Sequence, residues 1–341
     1  MPDKHSGPVK QHRNGQPQGY DLIGDIHGCA HTLEVLLHQL GYRKQQGIWQ
    51  HPRRQVIFLG DIIDRGPRIR QALHLVRDMV DHGAAKIVMG NHEYNALAYC
   101  TRARPGSGQS HVRAHTERNQ RQIRETLEAF SHHDREWQDF LQWFYTMPLF
   151  LELDGLRVVH ACWDHRLVQQ FREKHPDGCM DEDFLHASMA SESFAGKVTD
   201  HLLRGTDMRL PEGRSITSKD GFTRHFFRTK FWATNPRTYG DIVFQPDPLP
   251  DDIASRPLPE AARRELLSYG PGEPPVIVGH YWMQGKPEPI TRNVACLDYS
   301  AVKYGKLVAY RWSGEQTLRQ ENFAWVNVNR NDPPVGDEPE T

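Results

Sequence analysis

Five short segments carry the side chains that could do chemistry. They are Gly24-Asp25-Ile26-His27-Gly28, Gly60-Asp61-Ile62-Ile63-Asp64-Arg65-Gly66, Gly90-Asn91-His92-Glu93, His160, and Gly279-His280. Together they offer Asp25, His27, Asp61, Asn91, His160 and His280, a set of oxygen and imidazole donors without a thiolate. That mixture suits divalent cations of hard or borderline character, such as Mn²⁺, Fe or Zn²⁺. Six groups are too many for one ion that keeps an open position. Two ions about 3.5–4 Å apart, sharing one carboxylate, would use all six. The residue types therefore point to a two-metal hydrolase.

Such a site needs elements that bring distant segments together. YDLIGD (20–25), QVIFLGD (55–61) and AKIVMGN (85–91) each read as a buried strand ending in glycine and a polar residue. Between them, Leu33, Leu36, Leu37 and Leu40 fall at helical spacing, as do Ile69, Ala72, Leu73, Val76 and Val80. Strand and helix alternating at this interval predict right-handed crossovers and a parallel sheet, with the three strand ends on one edge. A hairpin is expected at 149–153 and 156–160 around Asp154-Gly155, with further strands at 275–280, 293–299, 306–312 and 322–328. Residues 101–147 read as helical, and 164–270 as an irregular, proline-containing insertion or lid without a core of its own. The expected layout is one domain over 19–328 with insertions at 101–147 and 164–270, between loose polar tails at 1–18 and 329–341.

The motifs GDIHG, GDIIDRG and GNHE, followed by the strand-ending His160 and the Gly279-His280 pair, resemble the phosphoprotein phosphatase family of calcineurin-like metallophosphoesterases. The likeness spans roughly residues 19–312. It implies an α/β fold, an αββα sandwich of two mixed sheets with a helical or irregular lid. It also implies two divalent cations, with Mn²⁺ the first expectation: Asp25 and His27 on the first, Asp61 bridging, and Asn91, His160 and His280 on the second. His92 resembles the general acid that protonates the leaving oxygen, oriented by Asp64. Arg65 offers a planar fork to phosphoryl oxygens, where Asn91 also contributes. Arg204, with Arg237 in reserve, is the candidate for a second phosphate-binding arginine.

The expected reaction is hydrolysis of a phosphomonoester or phosphoanhydride by direct attack of metal-activated water. Two substrate classes compete. His160-Ala161-Cys162 and the segment 296–312 resemble bacterial members that include diadenosine tetraphosphatases, whereas Asp64 and Glu93 look more like the Ser/Thr protein phosphatases. A separate reading takes the arginine-rich run Arg102, Arg104, Arg113, Arg118, Arg121 and Arg124 as a nucleic-acid-binding or nucleic-acid-end phosphatase surface. Lys and Arg (42) nearly cancel Asp and Glu (43), which argues against a broad backbone-tracking face. Aromatic faces at Trp163, Trp232, Tyr281 and Trp282 could stack a nucleobase or simply pack under the lid. Five scattered cysteines without a C-x-x-C pair, no apolar leader and no long apolar run give the expectation of a cytoplasmic protein without membrane partners.

Overall fold

The computed structural model describes residues 17–217, 223–244 and 249–328. The expected tails at 1–18 and 329–341 lie outside the described residues, apart from positions 17 and 18.

Two mixed sheets form the centre. In the first, the strands Asp298–Tyr299, Lys306–Trp312, Gly19–Ile23, Arg54–Phe58 and Ala85–Ile87 lie in that order, and Phe323–Asn327 pairs with Lys306–Trp312 as a sixth. The second holds Val294–Cys296, Val276–Val278, Leu156–Val159 and Phe150–Leu153. The sandwich follows from side-chain alternation, because successive residues of a strand face opposite sides. Leu22 and Ile57 of the first sheet meet Leu156, Val158, Ile277 and Ala295 of the second in one apolar layer. Their neighbours Ile23, Val56 and Phe58 face outward into the helical layer.

The helices on that outer face are amphipathic as their spacing predicts. α1 (Ala30–Gln39) buries Leu33, Leu36 and Leu37, and α2 (Ile69–Asp81) buries Ile69, Ala72, Leu73 and Val76. Each such leucine contributes about 1.5–3 kcal/mol relative to exposure. α3 (Asn91–Cys100), α4 (Glu117–Ala129) and α5 (Asp134–Phe144) continue the layer, with Ile123, Trp137 and Phe140 in the main core. α6 (His165–Lys174), α7 (Glu182–Ala187) and α8 (Phe194–Arg204) pack there too, through Leu167, Leu185 and Leu202.

Register decides what the sheets present. Ile23 pairs in parallel with Phe58, and Phe58 with Ile87, so the loops after all three strands emerge on one edge. In the second sheet Ile277 pairs with Val158 and Val278 with Cys296. His160 and Gly279-His280 therefore leave their strands side by side, with Gly279 N–H donating to His160 O at 2.8 Å.

The segment between α8 and Tyr269 differs from the sequence reading, which gave 164–270 no core of its own. Leu210, Phe227, Tyr239, Ile242, Leu249, Ile253 and Leu258 form a small separate apolar cluster. Its strands are only two or three residues long, too short for a periodic signal. The same brevity hid the hairpin Arg43–Gln45 and Ile48–Gln50.

Candidate active site

The strand-end loops converge on the Asp61 carboxylate. His160 Nε2 lies 3.5 Å from Asp61 Oδ2, His27 Nε2 3.7 Å and His92 Nε2 3.8 Å. The opposite ring nitrogens are already engaged: His27 Nδ1 donates to Ile63 O at 2.8 Å, His160 Nδ1 to Leu59 O at 2.6 Å, and His92 Nδ1 to Asp64 Oδ2 at 2.5 Å. Tying off Nδ1 leaves each Nε2 to face the cluster, the arrangement that fixes the tautomer of a ligating or proton-transferring imidazole.

Asn91 Oδ1 sits 3.1 Å from His160 Nε2 and 2.7 Å from His280 Nδ1, while buried His280 Nε2 has no hydrogen-bond partner among the described residues. Asp25 lies beside them, accepting the His280 N–H at 3.2 and 3.3 Å. Two triads offer donor atoms all within 4.8 Å of one another: His27, Asp61 and His92, and Asp61, His160 and His280. Asp61 is common to both. The first triad holds His92 where the sequence placed Asp25, yet the Asp64 carboxylate claims His92 Nδ1 and marks that ring off from the others.

The backbone here is unusual. His27, Asp61, Asp64, Arg65, His280 and Trp282 all have positive φ, between 40° and 69°. Such residues cost of order 1–3 kcal/mol each and persist only where surroundings over-determine them. Glu93 supplies much of that constraint, because its buried carboxylate accepts from Asp61 N and Ile62 N at 2.8 Å and reaches back to Gly90 N at 3.1 Å. Asp61 Oδ1 in turn accepts from His92 N at 2.9 Å, on the first turn of α3. Close approach explains two glycines: a Cβ on Gly279 would overlap Asp25 Oδ1, and one on Gly90 would overlap Asp61 Oδ1.

Electrostatics mark a site in want of positive charge. Burial, then the Asp298 carboxylate, pushes the Asp25 carboxyl well above its ordinary range. Burial alone would lower His160, but Asp61 and Asp25 lift it to about 10, so in the absence of a cation a proton takes up the negative charge. Burial also works against ionised Asp61, and His160 and His92 overcome it to hold that carboxyl well below the usual value. Burial lowers His27 and His280 well below the ordinary imidazole value, with His92 adding to the first and Arg228 to the second, which keeps both neutral and able to ligate. Shared Asp61, neutral imidazoles and the orphaned His280 Nε2 fit divalent cations.

The structure thus brings Asp25, His27, Asp61, Asp64, Arg65, Asn91, His92, His160 and His280 to one edge. Arg65 Nη1 lies 3.3 Å from His27 Nε2. Arg204, in the last turn of α8, is held by Asp200 Oδ1 at 2.6 Å and Asn95 Oδ1 at 3.0 Å, one turn along α3 from Asn91. Arg237 lines a different cleft, with Lys230 and Arg263.

The roles of four residues escaped sequence reasoning. Arg228 lies on the short lid strand Phe226–Arg228, half-buried with its guanidinium over the Tyr281 ring at 5.4 Å, and its charge lowers His280 further. Thr126, inside the arginine-rich stretch's helix, donates its hydroxyl to Asp64 Oδ1 and accepts Asp64 N–H at 3.0 Å. Glu93 and Asp298 act as staples for loops far away in the chain. Only for Glu93 was there a signal, its position three residues beyond Gly90 at a helix start. The arginine run is partly neutralised: Arg104 pairs with Asp183, and Arg124 with Glu125 and Glu128. Of the four aromatic candidates, Trp163, Trp232 and Tyr281 are buried, and Trp282 is 37% exposed. No described helix is long and apolar enough to cross a membrane.

Comparison with known proteins adds three findings. The sequence pattern of the calcineurin-like phosphoesterases matches residues 21–210, more than half of the chain. Over 73 residues, 21% of this chain and 29% of the relative, it is 47% identical to the bis(5'-nucleosyl)-tetraphosphatase PrpE (asymmetrical) of Oceanobacillus iheyensis. The Bacillus subtilis protein of the same name is 39% identical over 74 residues, 21% of this chain and 30% of that one. These matches span less than a third of the curated relatives' length. Among solved structures, a protein serine/threonine phosphatase from Saccharomyces cerevisiae covers 94% of this chain and 83% of its own at 13% identity and a TM-score of 0.47.

Proposed function

Because this chain belongs to the calcineurin-like phosphoesterases, and so is a phosphate-ester hydrolase of a family that uses divalent metals, we propose that its strand-end cluster is a binuclear centre. Asp25 and His27 would hold one cation, Asp61 both, and Asn91, His160 and His280 the other. When bound, two such ions acidify water and draw charge from phosphoryl oxygens. The observation that carries this reading is the convergence of three tied-off imidazoles on one shared carboxylate.

The chain's own residues supply the remainder. His92 gives its Nε2 proton to the leaving oxygen, and Asp64, oriented by Thr126, stabilises the ring in its charged state. Arg65 grips two phosphoryl oxygens through its fork, with Asn91 beside it. Arg228 is the better placed second phosphate arginine, because its guanidinium stands over Tyr281, next to His280, while Arg204 is engaged by Asp200 and Asn95. Water is the nucleophile, so no covalent enzyme intermediate forms.

The substrate we favour is a dinucleoside polyphosphate, cleaved at a phosphoanhydride. Support comes from the local identity to a tetraphosphatase over 73 residues and from His160-Ala161. A phosphoprotein is the rival, favoured by the Asp64–His92 pair. The test gives purified protein with Mn²⁺ both diadenosine tetraphosphate and a phosphothreonine peptide, with Asp61→Asn as control. Metal-dependent nucleotide cleavage that disappears in Asp61→Asn, with slow peptide turnover, is the expected result. Equal activity in Asp61→Asn overturns the metal-site reading, and faster peptide turnover transfers the substrate to the phosphoproteins.

A further inference from the structure

At the rim of the cluster, two loops meet that no step above uses. One follows the strand Val276–Val278 and carries Trp282 directly after His280 and Tyr281. The other follows Asp298–Tyr299 and carries Lys303 and Tyr304. Asp298 binds them together: its Oδ2 accepts Trp282 N–H at 3.0 Å, its Oδ1 accepts Ser300 N–H at 2.9 Å, and its carbonyl accepts Met283 N–H at 2.8 Å. Trp282, Ser300 and Tyr304 all have positive φ, between 40° and 60°. A bulky residue held in that region is costly, and such strain gathers at ligand clamps.

The rim is aromatic and cationic at once. Trp282 and Tyr304 are among the few large apolar side chains left exposed, at 37% and 55%. Lys303 Nζ stands 3.5 Å from the Trp282 ring centre, and the Arg65 guanidinium carbon 5.4 Å from it. Arg65 also approaches His27, so positive charge runs from the metal cluster across the indole to Lys303. A phosphoserine or phosphothreonine leaving group is a neutral alcohol on a peptide and gains nothing from a second cation there. A leaving group that is itself a nucleotide carries further phosphates for Lys303 and a base for aromatic contact.

We propose that Trp282 and Lys303, held together by Asp298, form the subsite for the leaving group of a nucleoside polyphosphate. This rests on the phosphoesterase reading above and fixes its substrate class. Lys303 binds a phosphate beyond the one attacked, and the indole carries both that lysine and Arg65 while offering its exposed edge to the base.

The experiment compares diadenosine tetraphosphate with p-nitrophenyl phosphate, whose leaving group bears no phosphate, in wild type, Lys303→Gln, Trp282→Leu and Trp282→Phe. It is accompanied by equilibrium binding of a non-hydrolysable methylene analogue of the dinucleotide. In Lys303→Gln, KM for the dinucleotide is expected to rise about tenfold more than KM for the nitrophenyl ester, with analogue binding weakened equally, since a charge-assisted contact is lost. Trp282→Leu should move in the same direction and Trp282→Phe should restore most of the loss. Parallel changes for both substrates in Lys303→Gln overturn the subsite. If wild type cleaves the nitrophenyl ester and not the dinucleotide, the subsite falls while the phosphoesterase reading stands. If it cleaves neither with metal bound, that reading falls and takes the leaving-group role of Trp282 and Lys303 with it.

Discussion

The strand-end cluster and the lid segment between α8 and Tyr269 are held in place in opposite ways. In the cluster, buried charged groups are fastened by several short hydrogen bonds from residues distant in the chain, with Glu93 alone accepting from four backbone amides. The lid's own cluster holds seven buried apolar side chains among the described residues, with two- to three-residue strands and mostly exposed polar contacts, while Phe231 and Trp232 reach the main core. Buried polar networks rigidify because an unmet group in low dielectric is costly. A small apolar cluster can rearrange with little loss of specificity. Chemistry therefore belongs to the sheet edge, and the lid meets it at Tyr281, beside His280, through Arg228, Phe231, Trp232 and Phe244.

Four changes would break or sharpen that contrast, from the largest effect to the smallest. His92→Asn should lower kcat by about 10²–10⁴-fold for an alkyl phosphate and by much less for p-nitrophenyl phosphate, because a good leaving group needs little protonation. Equal losses for both esters would remove the general-acid role. Glu93→Ala strands four buried amides and should cost about 3 kcal/mol in chemical denaturation while lowering activity. A neutral outcome in the melting curve would show that the loop is held by other means.

In the lid, Ile253→Ala opens a cavity worth about 2–5 kcal/mol. That loss is expected in local hydrogen exchange of 207–266, with kcat for p-nitrophenyl phosphate changed less than about threefold. A fall in global stability would make lid and sandwich one cooperative unit. The smallest effect concerns pH. Asp164 caps α6 at Leu167 N and accepts His201 Nδ1–H at 2.9 Å; burial opposes its charge, but these contacts win and hold the carboxyl below its ordinary value. A depressed native pKa gives stability that is present above the ordinary carboxylate range near about 4 and is lost as pH falls through the native value. Asp164→Asn should flatten that part of the acid limb in thermal melts, and an unaltered slope would assign it to other carboxylates.

Much of the site was legible because its parts are local. Strand-to-loop boundaries show as apolar runs ending in glycine, and the candidate ligands Asp25, Asp61 and Asn91 follow directly. The helices α1 and α2 were readable from their leucine and isoleucine spacing, which the burial of Leu33, Leu36, Leu73 and Val76 bears out. The lid's core was not legible, since strands of two or three residues leave no period to detect. Nor was the role of the arginine-rich stretch, where the residue that matters to the site is Thr126, a neutral side chain 62 positions from the Asp64 it orients.

The sequence by itself therefore determined the donor set, the strands that end in it and the family of chemistry, because side-chain type and short-range periodicity are properties of contiguous residues. Only the tertiary structure decided which side chains lock and surround that set. Asp25 meets His280 across 255 positions, Asp298 joins Trp282 to Ser300, and Arg228 reaches Tyr281 from an irregular lid. Such partners are chosen by sheet register and crossover packing, which fix distances between segments that no local pattern relates.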